Sequence, residues 1–225
     1  MRAVLLLALL APALAQYPAP ATVTFHFENA GLPVPVYDLT VHEDGKATYA
    51  ATYTGPSPEA SRYGPSYVAA PVSTQVTKEI MLSGSTTAQI FEHVRSTEHF
   101  RDGCESKAKN IAHTGVKTIS YSGPDGTAQC TFNFSEIKAV TALTGTLEGI
   151  ANTLDEGRRL ELKHKYDRLG LDQEMGLLID AIHEGRAVEV ATIAPVLQSL
   201  RDDPQVMERV RKRAAGLLDA NPPLH

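Results

Sequence analysis

Tryptophan is absent from this chain, cysteine occurs twice, and beyond residue 15 no apolar run approaches the length of a membrane span. A spanning helix needs about 20 apolar residues, so no membrane span is expected. A basic excess is also lacking: 21 lysines and arginines against 26 acids give a net charge of −5. A dedicated nucleic-acid binder carries a basic face, and none is expected here. With aromatics at 6% and no tryptophan, the broad stacking platform of a carbohydrate binder is missing too. Catalytic signatures are equally scarce. The chain has no Gly-x-Ser-x-Gly elbow, no Ser-x-x-Lys with its partner motifs, no loop ending in Gly-Lys-Ser/Thr and no Cys-x-x-Cys. No cofactor is implied.

What is present begins with an export signal. Arg2 supplies a positive start, Ala3 to Ala11 form a short apolar run, Pro12 breaks it, and Ala13-Leu14-Ala15 offers small residues for cleavage. Residues 1–15 therefore read as a signal peptide, and the mature chain is expected from Gln16. No cysteine follows Ala15 to take a lipid, and Asn221 to His225 is not a lipid-attachment signal. The expectation is a soluble exported protein, periplasmic or extracellular. Disulfides persist in such compartments, so Cys104 and Cys130, 26 positions apart, are expected to form one structural bridge. On the chain-entropy model, closing that loop stabilises by about 3.5 kcal/mol.

The pattern of apolar residues then changes along the chain. Val23, Phe25 and Phe27 alternate with polar residues, the period of a half-buried strand. Val36–His42 and Lys46–Tyr53 flank Glu43-Asp44-Gly45, and Asp-Gly between two β-rich runs predicts a tight, primed hairpin turn. Residues 54–71 carry Pro56, Pro58, Pro65 and Pro71 among glycine, serine and alanine, so the stretch reads as a long loop. Gln75–Leu82 returns to strand character. Ser83 to Ser85 offers an N-cap for a helix carrying Ala88, Ile90, Phe91 and Val94 inward. A second hairpin is expected from Val116–Tyr121 and Thr127–Phe134, with Phe132 and Phe134 sharing a face.

After Ser135, the expected N-cap of the next helix, the period becomes helical. Ile137, Val140, Thr144, Leu147, Ile150 and Leu154 make one stripe, with Leu160–Tyr166 helical or strand. Leu171 to Ile182 forms the next helix, ended by Gly185. Ile193 to Leu200 follows, with Pro195 placed to kink it, and a last helix opens at Asp203-Pro204. Strands first and helices later predict an α+β fold: an N-terminal antiparallel sheet with one helix, then an all-helical segment. The expected organisation is signal peptide 1–15, a β-rich unit 16–135 with the disulfide, and a helical region 136–225.

The run Tyr37-Asp38-Leu39-Thr40-Val41-His42-Glu43-Asp44-Gly45-Lys46-Ala47-Thr48-Tyr49 resembles exported bacterial domains of unknown function. Those domains follow this hairpin with a short helix and a second β-rich stretch. The resemblance covers about half of the mature chain and implies no activity. The last helix (Asp203, Val206, Val210, Ala214, Leu217) resembles the second helix of a HEAT-type repeat, implying a helical hairpin or cap, since a HEAT array needs several units.

Candidate chemistry is thin. Glu161-x-x-His164 has the spacing of a helical di-metal ligand pair, but there is no second copy, so no metal is expected. His93, His99 and His113, with Glu92, Glu98 and Asp102, surround the loop to Cys104 without metal-ligand spacing. Asp155-Glu156 and Asp202-Asp203 read as acids at helix ends, and Arg209, Arg211, Lys212 and Arg213 as a solvated basic stripe. Tyr53, Tyr63 and Tyr67, in and beside the Pro/Gly loop, are the best binding residues, because tyrosine gives large contact area with little entropy to lose. The favoured reading is a non-catalytic exported protein that binds a protein or cell-envelope partner. A hydrolase built on His93, His99 and Glu98, or a self-assembling scaffold, are the alternatives.

Overall fold

Alternating burial organises the N-terminal half. The computed structural model describes residues 20–55, 72–101 and 103–223, so the expected signal peptide lies outside the described residues. Six strands, β1 (Thr22–Glu28), β2 (Val36–His42), β3 (Lys46–Gly55), β4 (Val72–Met81), β5 (Val116–Gly123) and β6 (Gly126–Phe132), form one antiparallel sheet in the order β4-β3-β2-β1-β5-β6. Period two puts Val23, Phe25, Phe27, Leu39, Val41, Tyr49, Ile119 and Tyr121 on one buried face. The other face is open and rich in threonine. There Thr24 faces Thr40, and Thr118 faces Thr131.

Helix α1 (Gly84–Ser96) and the long helix α2 (Lys138–Tyr166) cover the buried face. Helices α3 (Leu171–His183), α4 (Ala194–Asp202) and α5 (Glu208–Ala220) pack behind α2. Sheet and helices share one hydrophobic core, running from Val23 to Leu218. This is an α+β fold, with the sheet in the N-terminal half as expected.

Local chemistry explains the joints and several departures. In the β2–β3 hairpin only Gly45 takes a positive φ, 86°, and the Lys46 N–H donates to Asp44 Oδ1 at 3.0 Å. The connection is thus a three-residue loop ending in a left-handed glycine, not the two-residue primed turn. Strand β6 stops at Phe132, and Phe134 is 44% exposed instead of sharing Phe132's face. Ser135 accepts from the Ile137 N–H at 3.3 Å, but α2 itself starts a turn later, at Lys138. Residues 160–166 continue that same helix. Pro195 sits in the first turn of α4, where its missing N–H costs nothing, so it starts the helix and does not kink it. Asp203-Pro204 lies in a turn, and α5 opens only at Glu208.

The segment after α3 first packs on α2 and then reaches the sheet half through Glu189. The segment 186–193 crosses α2 at its glycines: the Gly149 carbonyl accepts from the Val188 N–H, and a Cβ on Gly157 would overlap Ile193 Cγ2. Thr153 Oγ1 donates to Val188 O at 2.6 Å on the same face. Glu189, in a left-handed conformation, then reaches the N-terminus of α1. Its carboxylate accepts from the Ser83 N–H at 2.9 Å, from Ser83 Oγ at 2.6 Å and from Thr86 Oγ1. A negative charge there is favoured by the helix dipole. Cys104 and Cys130 stand at disulfide distance, Cα to Cα 6.1 Å, tying the loop before β5 to the edge strand β6.

Candidate functional site

One stripe of α2 carries Glu148, Ala151, Asn152, Asp155 and Arg159, spaced to share a side of the helix. Opposite it stand the β1–β2 connection, with Leu32, Pro33 and Val34, and the ends of three strands. Between them lie two adjoining hollows. The inner one, about 260 Å3, has an aromatic wall of Phe27, Tyr37 and Tyr49. The outer one, about 390 Å3, is lined by Tyr53, Thr54, Gly55, Val72, Thr74 and Arg158. Pro33, Val34, Asp155 and Arg159 belong to both, so the two form one cleft at the end of the sheet.

The aromatic wall is a packed ladder. Phe27 stacks on Tyr37 with centroids 5.0 Å apart, and Tyr37 lies 5.7 Å from Tyr49. Tyr53 follows Tyr49 on the same face of β3. Burial raises all three tyrosine pKa values, and the negative Glu148 adds to the rise at Tyr37. These hydroxyls stay neutral donors at physiological pH.

The helix side supplies charge. Burial raises the pKa of Asp155 above the ordinary range, against the opposing charges of Arg159 and Arg158. Burial likewise raises Glu148, against Lys117, whose Nζ is 3.8 Å away. Arg159 is the hub: it pairs with Asp155 at 3.0 Å, with Glu156, and with Glu174 at 2.9 Å. Glu156 and Glu174 are buried behind the cleft and line neither hollow. Arg158 points the other way, its guanidinium carbon 3.6 Å from the centre of the Tyr53 ring. Among the described residues it has no ion pair.

A larger hollow of about 760 Å3 opens between the β2–β3 turn and α1. Its arginine is already committed: Arg95 pairs with Glu43 at 2.8 Å and approaches Asp125 at 3.6 Å. Volume alone therefore does not select it over the cleft, where aromatic surface and charged groups converge.

The structure distributes the sequence-derived candidates widely. Tyr53 is on β3, buried under Arg158, and belongs to the sheet, not to the loop. Tyr63, Tyr67 and Asp102 lie outside the described residues. His99 sits in a run of three left-handed residues, Glu98 to Phe100, stacked on Tyr121 and 3.3 Å from Asp125. His113 is exposed in the loop before β5, and Glu98 pairs with Arg101. Among the described residues no group of three or more His, Cys, Asp or Glu could hold a metal ion. His164 turns to Asp203 at 2.8 Å, not to Glu161, with Ser199 Oγ 3.5 Å from its other nitrogen. That serine–histidine–aspartate row lies along helices. The backbone N–H groups beside Ser199 are spent on α4, so the oxyanion donors that acyl transfer needs are not offered there. Arg209 and Arg213 both engage Asp172, at 2.8 and 3.1 Å, which neutralises part of the basic stripe.

Compared with known proteins, the chain matches no family model and no curated sequence. The cleft residues must therefore be read from their own chemistry. Sequence reasoning passed over Arg158, Arg159 and Asp155 because Asp155-Glu156 looked like a helix end; both acids lie in the middle of α2. The available signal was the helical spacing of Glu148, Asn152, Asp155 and Arg159 beside the apolar stripe. Tyr37 and Tyr49, which in the sequence belong to the hairpin run, form the inner wall.

Proposed function

We propose that this chain is an exported, non-catalytic binding protein whose recognition site is the cleft between α2 and the end of the sheet. The observation that carries this reading is the convergence of a Tyr/Phe wall with paired and unpaired charges around an open cavity, the usual make-up of a small-molecule site. Two strand ends, Gly55 of β3 and Val72 of β4, pair with each other and line the outer hollow. Binding is favoured over turnover because Asp155, the half-buried acid shared by both hollows, is already engaged by Arg159 at 3.0 Å.

Two measurements test the two halves of the proposal. Expression of the full chain in a bacterial host, followed by fractionation and N-terminal sequencing, is expected to yield a non-cytoplasmic product starting at Gln16. A product retaining Met1 in the cytoplasm removes the export reading. For the site, a fragment screen by protein-observed NMR is expected to move resonances of Tyr37, Asn152 and Arg158. Leu32, 44% exposed at the rim, is the place to block it: Leu32→Trp should fill the mouth and abolish those shifts while leaving the fold intact. Fragments that gather elsewhere, with the cleft silent, would sink the assignment.

A further inference from the structure

The cleft is close to charge-balanced, but its charges are not equally committed. Asp155 is held by Arg159, and Arg159 serves three carboxylates. Glu148 has Lys117. Of the charged residues lining the two hollows, Arg158 alone has no opposite charge at salt-bridge distance among the described residues. Its guanidinium is nonetheless held in place, the central carbon 3.6 Å over a Tyr53 ring that is itself 6% exposed. Stacking of this kind holds the group flat and leaves its in-plane N–H donors free.

A planar fork of that sort matches a carboxylate, which can accept two parallel N–H bonds. The surroundings fit the same ligand. The outer hollow offers the polar groups of Thr54 and Thr74 beside Arg158, and across the shared walls Pro33 and Val34 lies the aromatic inner hollow. We infer that Arg158 anchors the carboxylate of a small organic acid whose apolar body lies against Tyr37 and Tyr49. The inference rests on the cleft being the binding site and adds the chemical class of the ligand. Lysine would supply the charge at this position but not the flat fork or the stack.

A matched set of probes separates the possibilities: 4-phenylbutyrate, its neutral amide, and 4-phenylbutylamine, titrated into the purified protein by NMR. The acid is expected to bind at the cleft at least tenfold more tightly than the amide or the amine. That preference should vanish in Arg158→Ala, and Arg158→Lys should restore only part of it. Melting curves of both variants check that they fold. Leu177→Ser, at a 48% exposed position on α3 outside the cleft, serves as a control and should keep the preference. If the amide or amine occupies the cleft as tightly as the acid, or the acid binds Arg158→Ala undiminished, the ligand class is wrong while the cleft stands. If none of the three moves a cleft resonance at millimolar concentration and a broad fragment screen is silent there too, both readings fall.

Discussion

Gly157 occupies the point where Ile193 crosses α2, and any Cβ there would overlap the isoleucine. Alanine is the better helix former by about 1 kcal/mol, so propensity alone would favour Gly157→Ala. Overpacking a filled contact costs about 1–3 kcal/mol, and Ile193 is a buried core residue with little room to retreat. Gly157→Ala should therefore lower stability by up to about 2 kcal/mol net, read from urea denaturation. The neighbouring Gly145, with nothing within 4 Å of its Cβ position, gives the contrast: Gly145→Ala should be neutral or stabilising. If both substitutions behave alike, the crossing is looser than the contact implies. Neither glycine announces its role in the sequence, because the residue that needs the space lies on a distant segment.

Strands and hairpins were the most legible elements, since period two and the Asp-Gly pair are local signals. Val23, Phe25 and Phe27 alternate as read, and each hairpin forms where its turn residues stand. The helical half was legible in kind but not in punctuation. Glu156-Gly157-Arg158-Arg159 interrupts the apolar stripe of α2 and suggests a break, whereas the polar residues there face the cleft and the ion cluster of one uninterrupted helix. The cleft itself was not legible, because Tyr53 and Arg158 meet only through the packing of α2 on the sheet. At this scale the cysteine pair makes a sharp claim. It fastens the loop before β5 to an edge strand across a separation of 26 residues. Cys104→Ser with Cys130→Ser, or reduction of the wild type, should cost about 3.5 kcal/mol. Equal urea midpoints for oxidised and reduced protein would contradict it.

Across the whole molecule, stability should carry the mark of acids held in unfavourable surroundings. Asp155 has its folded-state pKa raised by burial above the ordinary 3.8. The folded protein therefore holds that proton more tightly than the unfolded chain does. This contribution is fully present below pH 3.8 and is lost as pH rises through the raised value. Asp125 and Asp203 act in the opposite sense: the Tyr121 hydroxyl and His164, respectively, lower their pKa, and their stabilisation fades as pH falls. Asp155→Asn isolates the first effect. The variant and the wild type should lie closest together in acid, and the variant should gain on the wild type as pH rises toward 8. Denaturant unfolding at several pH values reads this gap, and a gap that stays level or shrinks would mean the Arg159 pair outweighs burial.

The order of the strands carries a kinetic consequence. β1, the earliest strand of the sheet, lies between β2 and β5, so one of its edges closes quickly through a neighbouring hairpin. The other edge must wait until Val116–Gly123 has been synthesised and has found its register against Thr22–Glu28. Until then the nascent sheet ends in an unpaired row of backbone donors and acceptors beside Phe25 and Phe27, the kind of edge that invites association. Closing a contact so distant along the chain is slow. The rate at which β5 arrives therefore sets how long the half-made protein depends on its surroundings to keep it apart from other copies.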